Sequence, residues 1–445
     1  MSPCEDAAAR ERAAADHALL ARRIASIPAA LAVAAAASPP AELAELLQFE
    51  RFVVTGGGLS EGPARVLAAL LQRLGRTARF VPLSTFAEPQ LSQPSWLGSA
   101  AMGPAPALIL FSQGLAPNAQ LPFAHLRSFS KALVFTSVDS GSAHAALKQQ
   151  LAGRGVLFWA HPPASEDQLL LRVIGPAVAL LCALRFVNLL SGASAAANAA
   201  LDDLPARYAA ALDQGADLDL FGGARRPIAL VGGEMLCELA FPLRWKLLEG
   251  LRVPDPPVWD LLQVVHGPIQ AFFDSPLTLL LFADSARPHE SALIDRLAGL
   301  LDPERHHLLR LPFADGASEH GQGHGLLILD ACLNAALLRT LAAHPLELGR
   351  WPLRGADGPL YDIAPATLPD LVPTQPAAFP YARNGSPLSS APAAKQTKLA
   401  KPGKPVKKTA KVESAPPAPA PAPTAAASPW PPVSHRERQR EAKRN

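Results

Sequence analysis

One local pattern occurs twice in this chain: a short apolar strand, a glycine turn, then a helical segment. The first copy is Arg51-Phe52-Val53-Val54-Thr55, the turn Gly56-Gly57-Gly58-Leu59-Ser60, and a helical pattern running through Leu74. The second is Pro227-Ile228-Ala229-Leu230-Val231, the turn Gly232-Gly233, and a helical pattern from Met235 to Leu248. A strand that is apolar at consecutive positions is buried on both faces, as in parallel sheets covered by helices on each side. Few folds accommodate that pattern twice in succession.

The intervening segments extend each copy. After the first come short apolar runs at Ala78–Val81, Ala107–Phe111, Ala132–Thr136 and Gly155–Phe158. After the second come Leu277–Phe282 and His307–Leu311, closed by a long helical pattern from Leu326 to Leu341. Strands alternating with helices predict an α/β fold with a parallel, doubly wound sheet in each of two tandem units. The units are expected at 51–190 and 226–345, with a helical linker at 191–225. Residues 1–50 read as helix, broken near Pro28 and Pro39-Pro40, and 346–381 as a Pro-rich C-terminal segment.

From residue 382 onward the chain is Lys/Pro/Ala low complexity and is expected to be disordered, because it has too little apolar surface to bury. This tail also distorts the charge balance. Of the 41 basic and 38 acidic residues, 13 and 3 lie between Tyr381 and Asn445, so the body carries 28 and 35 and is acidic. The basic pI therefore argues for no nucleic-acid-binding domain, though the tail itself suits a weak, salt-sensitive contact with an acidic or nucleic-acid partner. Cys4, Cys182, Cys237 and Cys332 are too scattered for a zinc site or a disulfide framework, and a reducing cytoplasm is expected. Arg22-Arg23 before an apolar run imitates a targeting signal, but acidic residues lie upstream of it. The apolar run Val173–Leu184 is shorter than the roughly 20 residues that a bilayer span needs, so it reads as a buried core helix and no membrane association is expected.

In parallel α/β sheets, ligands sit beyond the C-terminal ends of the strands. Three turns fall there: Gly56–Ser60, Ser112-Gln113-Gly114 with the residues after it, and Gly232-Gly233-Glu234. The first leads into a helix N-terminus, which favours an anion. A second cluster follows. Lys246 and Glu249 stand three apart on a helical pattern, and His266-Gly267-Pro268 forms a turn further on. A carboxylate, an imidazole and a cation are what proton transfer between an aldose and a ketose requires. The same residues also read as a surface ion pair and a loop histidine.

The order of these motifs resembles the tandem SIS (sugar isomerase) domain proteins, in particular the isomerase half of glucosamine-6-phosphate synthase, over about residues 20–350. The first unit of that family carries G-x-G-T-S, matched by Gly56–Ser60, and S-Q-S-G-E-T-x-D-T, matched one residue shorter by Ser112–Ala119. The second carries A-L-K-L-K-E and then H-G-P, matched by Arg244–Glu249 and His266–Pro268 with one extra residue between. The resemblance implies two three-layer α/β/α units, each with a mainly parallel five-stranded sheet. It implies Glu249 as the carboxylate that moves a proton between C1 and C2. It implies His266 in ring opening, delivered across a homodimer interface, and Lys246 as a lysine that helps hold the site. Gly58, Ser60, Ser112, Gln113, Gly114, Gly232 and Gly233 would line the substrate and phosphate site, with no metal and no cofactor. A carboxylate beside a cation is expected to stay ionised and to act as a base.

The departures are as specific. Leu59 replaces a threonine, the second serine of S-Q-S is absent, and Ala116 replaces another threonine. The family's S-T-K before the core helix is Leu170-Leu171-Arg172, and a glutamate four before the lysine is Pro242. Its C-terminal P-R-x-L-x-K is only loosely matched by Leu348–Pro352, without the lysine. Each lost hydroxyl weakens phosphate binding by about 1 kcal/mol. Nothing resembles the amidotransferase half, so glutamine-dependent amination is not expected. His306-His307 read as strand-edge residues, and Glu319–His324 as a Gly-rich loop bordering the sugar site in preference to a metal loop. The expected function is binding of a sugar phosphate or related carbohydrate derivative with isomerase or deaminase chemistry. The alternative is a non-catalytic, carbohydrate-binding regulatory protein.

Overall fold

The computed structural model describes residues 3–87, 105–162, 166–233, 235–284, 287–313, 323–351, 356 and 358–365. The low-complexity tail and residues 319–322 of the Gly-rich loop lie outside them.

Two parallel sheets carry the fold. The first contains β1 (Arg51–Gly56), β2 (Thr77–Phe80), β3 (Ala107–Phe111), β4 (Lys131–Thr136) and β5 (Val156–Ala160), in the order β2-β1-β3-β4-β5. Every pair is parallel, with Phe52 opposite Ala107 and Ala107 opposite Lys131 setting the register of the central strands. All five residues of β3 are buried, which accounts for the uninterrupted apolar run. The second sheet contains β6 (Ile228–Gly232), β7 (Val258–Asp260), β8 (Thr278–Asp284) and β9 (His307–Phe313), in the order β7-β6-β8-β9. It has four strands among the described residues, one fewer than the five expected. Its edge strand β7 is three residues long and half-buried, too short to show in the sequence pattern.

The inner faces of both sheets share one apolar cluster, which includes Phe52 and Phe111 of the first sheet and Leu230 and Phe282 of the second. Among the described residues seven helices contribute to this shared layer: α1 (Pro3–Ala36), α2 (Glu61–Arg73), α4 (Ile174–Ser191), α5 (Ala195–Asp202), α6 (Leu204–Gly215), α7 (Met235–Leu251) and α10 (His324–Ala343). Between the first sheet's strands β4 and β5 runs α3 (Ala145–Gly153), and α5 and α6 occupy the segment between the two sheets. The second sheet's outer face is covered by α8 (Pro268–Phe272) and α9 (Pro288–Leu300), and α11 (Gly358–Tyr361) follows the second unit. Helices α6 and α10 pack closely, because a β-carbon on Gly215 would lie 2.4 Å from the Cys332 carbonyl oxygen.

The break expected at Pro28 does not occur: α1 continues through it and ends before Pro39. A proline inside a helix costs about 3 kcal/mol. Leu20, Ile24, Ile27, Leu31 and Ala34 form one fully buried seam along α1. Burying each large apolar side chain contributes about 1.5–3 kcal/mol, so the seam outweighs the proline. By length and composition α1, α4 and α10 are each long and apolar enough to cross a membrane. In α4 and α10, however, 67% and 72% of the apolar window is buried inside the protein, so these are core helices. The helix that carries the apolar run Val173–Leu184 is 18 residues long, and it is burial that identifies it as core.

Candidate functional site

In a sheet ordered β2-β1-β3-β4-β5, the order in which strands are added reverses between β1 and β3, which leaves a crevice at their C-terminal ends. A cavity of about 200 Å³ lies there. The turn after β1 and the loop after β3 form two of its walls, contributing Gly58, Ser60, Ser112, Gln113 and Gly114. Glu249 of α7 and Arg172, just before α4, are the charged residues among its described lining. Five of the seven residues expected for ligand binding are therefore brought together, and with them Glu249.

Local chemistry explains each wall. At Gly56 a β-carbon would lie 2.6 Å from the Ser60 carbonyl oxygen, so the turn after β1 closes only around a glycine. Gly58 adopts φ +55°. The Ser60 hydroxyl makes no capping bond to α2, which leaves it available at the helix N-terminus. The loop after β3 is pinned to the end of β4. The Gln113 carbonyl accepts from the Thr136 hydroxyl at 2.9 Å and from the Ser137 amide at 3.0 Å. The loop then turns through Leu115 at φ +53°, a left-handed conformation that is costly for a branched side chain and is held by burial. Gly175, in the first turn of α4, leaves room for the Gln113 side chain, since a β-carbon there would lie 2.0 Å from the amide nitrogen.

Glu249 comes from α7, the helix after the first strand of the second sheet. Helix α7 is tied to α2 by the Trp245 indole, which donates to Glu61 Oε2 at 3.2 Å. Tight packing follows one residue later, where a β-carbon on Gly250 would lie 2.9 Å from Leu337 and 3.1 Å from Leu171. The Glu249 Oε2 atom is buried without a hydrogen-bond partner. Burial pushes its carboxyl up to about 8, with Arg172 opposing the rise. This reverses the expectation of an ionised carboxylate: burial favours the protonated form of Glu249 at neutral pH.

Lys246 is not the cation beside it. Lys246 is 2% exposed and faces α10, where Nζ meets Asp330 Oδ1 at 2.5 Å and donates to Asn334 Oδ1 at 2.7 Å. Tyr208 donates to Asp330 Oδ2 at 2.9 Å, and Asn334 donates to the Tyr208 hydroxyl at 2.7 Å. The lysine thus belongs to a buried polar network linking α6, α7 and α10.

His266 does not line the cavity. It is exposed, beside a 3-10 turn at Gln263–Val265, and the turn into α8 depends on Gly267 at φ +126°. Leu262, Val265 and Phe273 around it are exposed as well.

Gly232 and Gly233 occupy the equivalent crevice of the second sheet, between β6 and β8, away from the cavity. That crevice is filled from within. A β-carbon on Gly233 would lie 3.0 Å from the carboxyl carbon of Glu290, a buried side chain of α9 held by Arg287 at 3.4 Å. The second turn also follows the end of a strand, but the Glu290 side chain lies against it where an anion would approach.

In the sequence Arg172 stands out as a departure from a motif and as the residue that precedes the long apolar run, and neither assigns it to the site. Tyr361 of α11 also lines the cavity, and no sequence pattern pointed to it. His324, at the start of α10, is buried and its imidazole is pushed down to about 4 by burial. Among the described residues no group of three or more His, Cys, Asp or Glu side chains is placed to hold a metal ion.

No protein-family model matches the chain, and no curated protein matches it in sequence. Solved structures do match. The C-terminal domain of glucosamine-fructose-6-phosphate aminotransferase from Francisella tularensis superposes with TM-score 0.56 at 11% identity, covering 74% of this chain and 97% of that one. Glucosamine-6-phosphate deaminase from Thermotoga maritima matches with TM-score 0.55 at 13% identity, over 74% and 96%. Tagatose-6-phosphate ketose/aldose isomerase from Escherichia coli matches with TM-score 0.56 at 17% identity, over 73% and 93%. The chain has the fold of these SIS-type proteins.

Proposed function

We propose that the cavity between β1 and β3 binds a sugar phosphate or related anionic sugar, and that Glu249 moves a proton between adjacent carbons of it. The observation that carries this reading is the placement of one buried carboxyl, borne by α7, against the glycine–serine turns of the first sheet. Aldose–ketose interconversion needs a single group that removes the proton at C2 and returns it at C1. As the C2–H bond breaks, its electrons form the C1=C2 bond while the C1=O π pair moves to O1, which takes up a proton to give the enediol. Loss of the O2 proton then re-forms a carbonyl at C2 as the C1=C2 pair takes the proton back at C1, which yields the other sugar. A carboxyl held near 8 is suited to both halves, because its proton affinity is close to the working pH. The structurally similar deaminase and ketose/aldose isomerase support this class of chemistry.

The test is conversion of a panel of hexose and hexosamine 6-phosphates. Turnover by the wild type, with about 100-fold or greater loss in Glu249→Gln, is the expected result. Tight binding with no turnover across the panel would favour a regulatory, non-catalytic carbohydrate-binding protein. The aliphatic side chains at Leu59 and Ala116, where hydroxyls would strengthen phosphate binding, motivate that second reading.

The reading extends to His266. We propose that a homodimer buries Leu262, Val265 and Phe273 and brings this exposed imidazole to the partner's cavity for ring opening. If so, mixing inactive Glu249→Gln and His266→Asn subunits restores part of the activity, because some mixed dimers contain one intact site. Mixtures as inactive as their components would remove His266 from the proposed site.

A further inference from the structure

The anion that binds in the cavity needs a positive partner, and the structure offers few. Helix α4 begins at the cavity, but its N-terminus is already occupied. The Glu166 carboxylate, 3% exposed, accepts from the backbone amides of Val173 at 2.6 Å, Ile174 at 2.9 Å and Gly175 at 2.9 Å. The partial positive charge of that helix end is thereby neutralised internally. Lys246 is committed to Asp330 of α10. Arg172 remains. It lines the cavity, and its Nη1 donates to Gln113 Oε1 at 3.2 Å, which fixes one edge of the guanidinium against the loop after β3.

We propose that Arg172 is the specificity-determining residue of the cavity: its guanidinium takes the terminal oxyanion of the ligand, with Gln113 orienting it. This rests on the reading of the cavity as a sugar site and names the chemical class of sugar it accepts, one bearing a phosphate or a carboxylate. A planar guanidinium binds either group through paired N–H···O bonds, whereas the few hydroxyls present hold a phosphate only weakly. Arg172 is also the only positively charged side chain in the described lining, so a neutral sugar gains nothing from it.

Calorimetric titration of the full chain with a hexose 6-phosphate, the corresponding hexuronate, the neutral hexose and inorganic phosphate tests this. The wild type is expected to bind at least one of the two anionic sugars more tightly than the neutral one. Whichever anionic sugar binds better identifies the source of the oxyanion. Arg172→Met is expected to weaken that sugar by about tenfold or more, and Arg172→Lys to recover part of the loss without the preference set by paired bonds. Circular dichroism of both variants verifies the fold. An anionic sugar that binds Arg172→Met as tightly as the wild type overturns this inference and leaves the function reading standing. Arg172-dependent binding of inorganic phosphate with no binding of any sugar supports the anion role of Arg172 and sinks the sugar reading. Equal affinity of the wild type for anionic and neutral hexose also overturns the inference.

Discussion

Replacing Lys246 by methionine is expected to destabilise the fold by about 3–5 kcal/mol, read as a shift in the urea unfolding midpoint. The lysine neutralises Asp330 at 2.5 Å where both side chains are largely buried, and Asp330 also accepts from Tyr208 and Asn334. Removing the ammonium leaves a carboxylate buried without its counter-ion, which is the costly way to break such a pair. The double substitution Lys246→Met with Asp330→Leu is expected to recover much of the loss, because the remaining pocket is apolar. Leu243, Leu326 and Leu329 border the same small cavity as Lys246 and Asp330. A Lys246→Met protein that keeps its stability but loses ligand binding would return the lysine to the site. The buried network argues against that outcome, since all its partners belong to α6 and α10.

The second large effect depends on pH. The Glu249 carboxyl has an ordinary value of 4.5 and is pushed up to about 8 in the fold. Between these two values the unfolded chain has released this proton and the folded protein still holds it. Stability contributed by the group is therefore present below 4.5 and is lost as pH rises toward 8. The slope approaches 1.4 kcal/mol per pH unit for one proton, so the whole window amounts to a few kcal/mol. Chemical denaturation from pH 5 to pH 9 is expected to show stability falling in the wild type and a flatter profile in Glu249→Gln. Equal slopes in the two proteins would mean that the carboxyl is not held protonated. If Glu249 is the base, proton abstraction in the wild type rises over the same range, because only the ionised carboxylate removes a proton.

The strands were legible because their burial is nearly independent of detail. A central strand covered on both faces must be apolar throughout, and Ala107–Phe111 and Ile228–Gly232 are. The crevice was legible for the same reason: two glycine turns at strand ends are needed for the backbone to close, as Gly56 shows against the Ser60 carbonyl. What failed to show was decided by contacts between units. Lys246 and Glu249, three apart on α7, point about 60° from each other around the helix. That angle lies at the seam between two environments, so one faces α10 and the other faces the cavity. The spacing alone could not separate them. Glu290 filling the second crevice, and Arg172 entering the first, depend on packing across the sheet that no local pattern encodes. Pro28 misled in the opposite direction, because its local cost is outweighed by a buried seam that becomes visible only when α1 is seen against α4.

The central claim is that Glu249, inside this one cavity, shuttles a proton on a bound sugar. Solvent deuterium incorporation at C2 of a hexose 6-phosphate, followed by proton NMR in D₂O, tests it most directly, because it registers proton removal even where net conversion is slow. The expected result is loss of the C2–H signal with the wild type, accelerating from pH 6 toward pH 8, and no loss above background with Glu249→Gln. Exchange by Glu249→Gln at the wild-type rate would contradict the account, and so would a wild type that binds the sugar and never exchanges its proton.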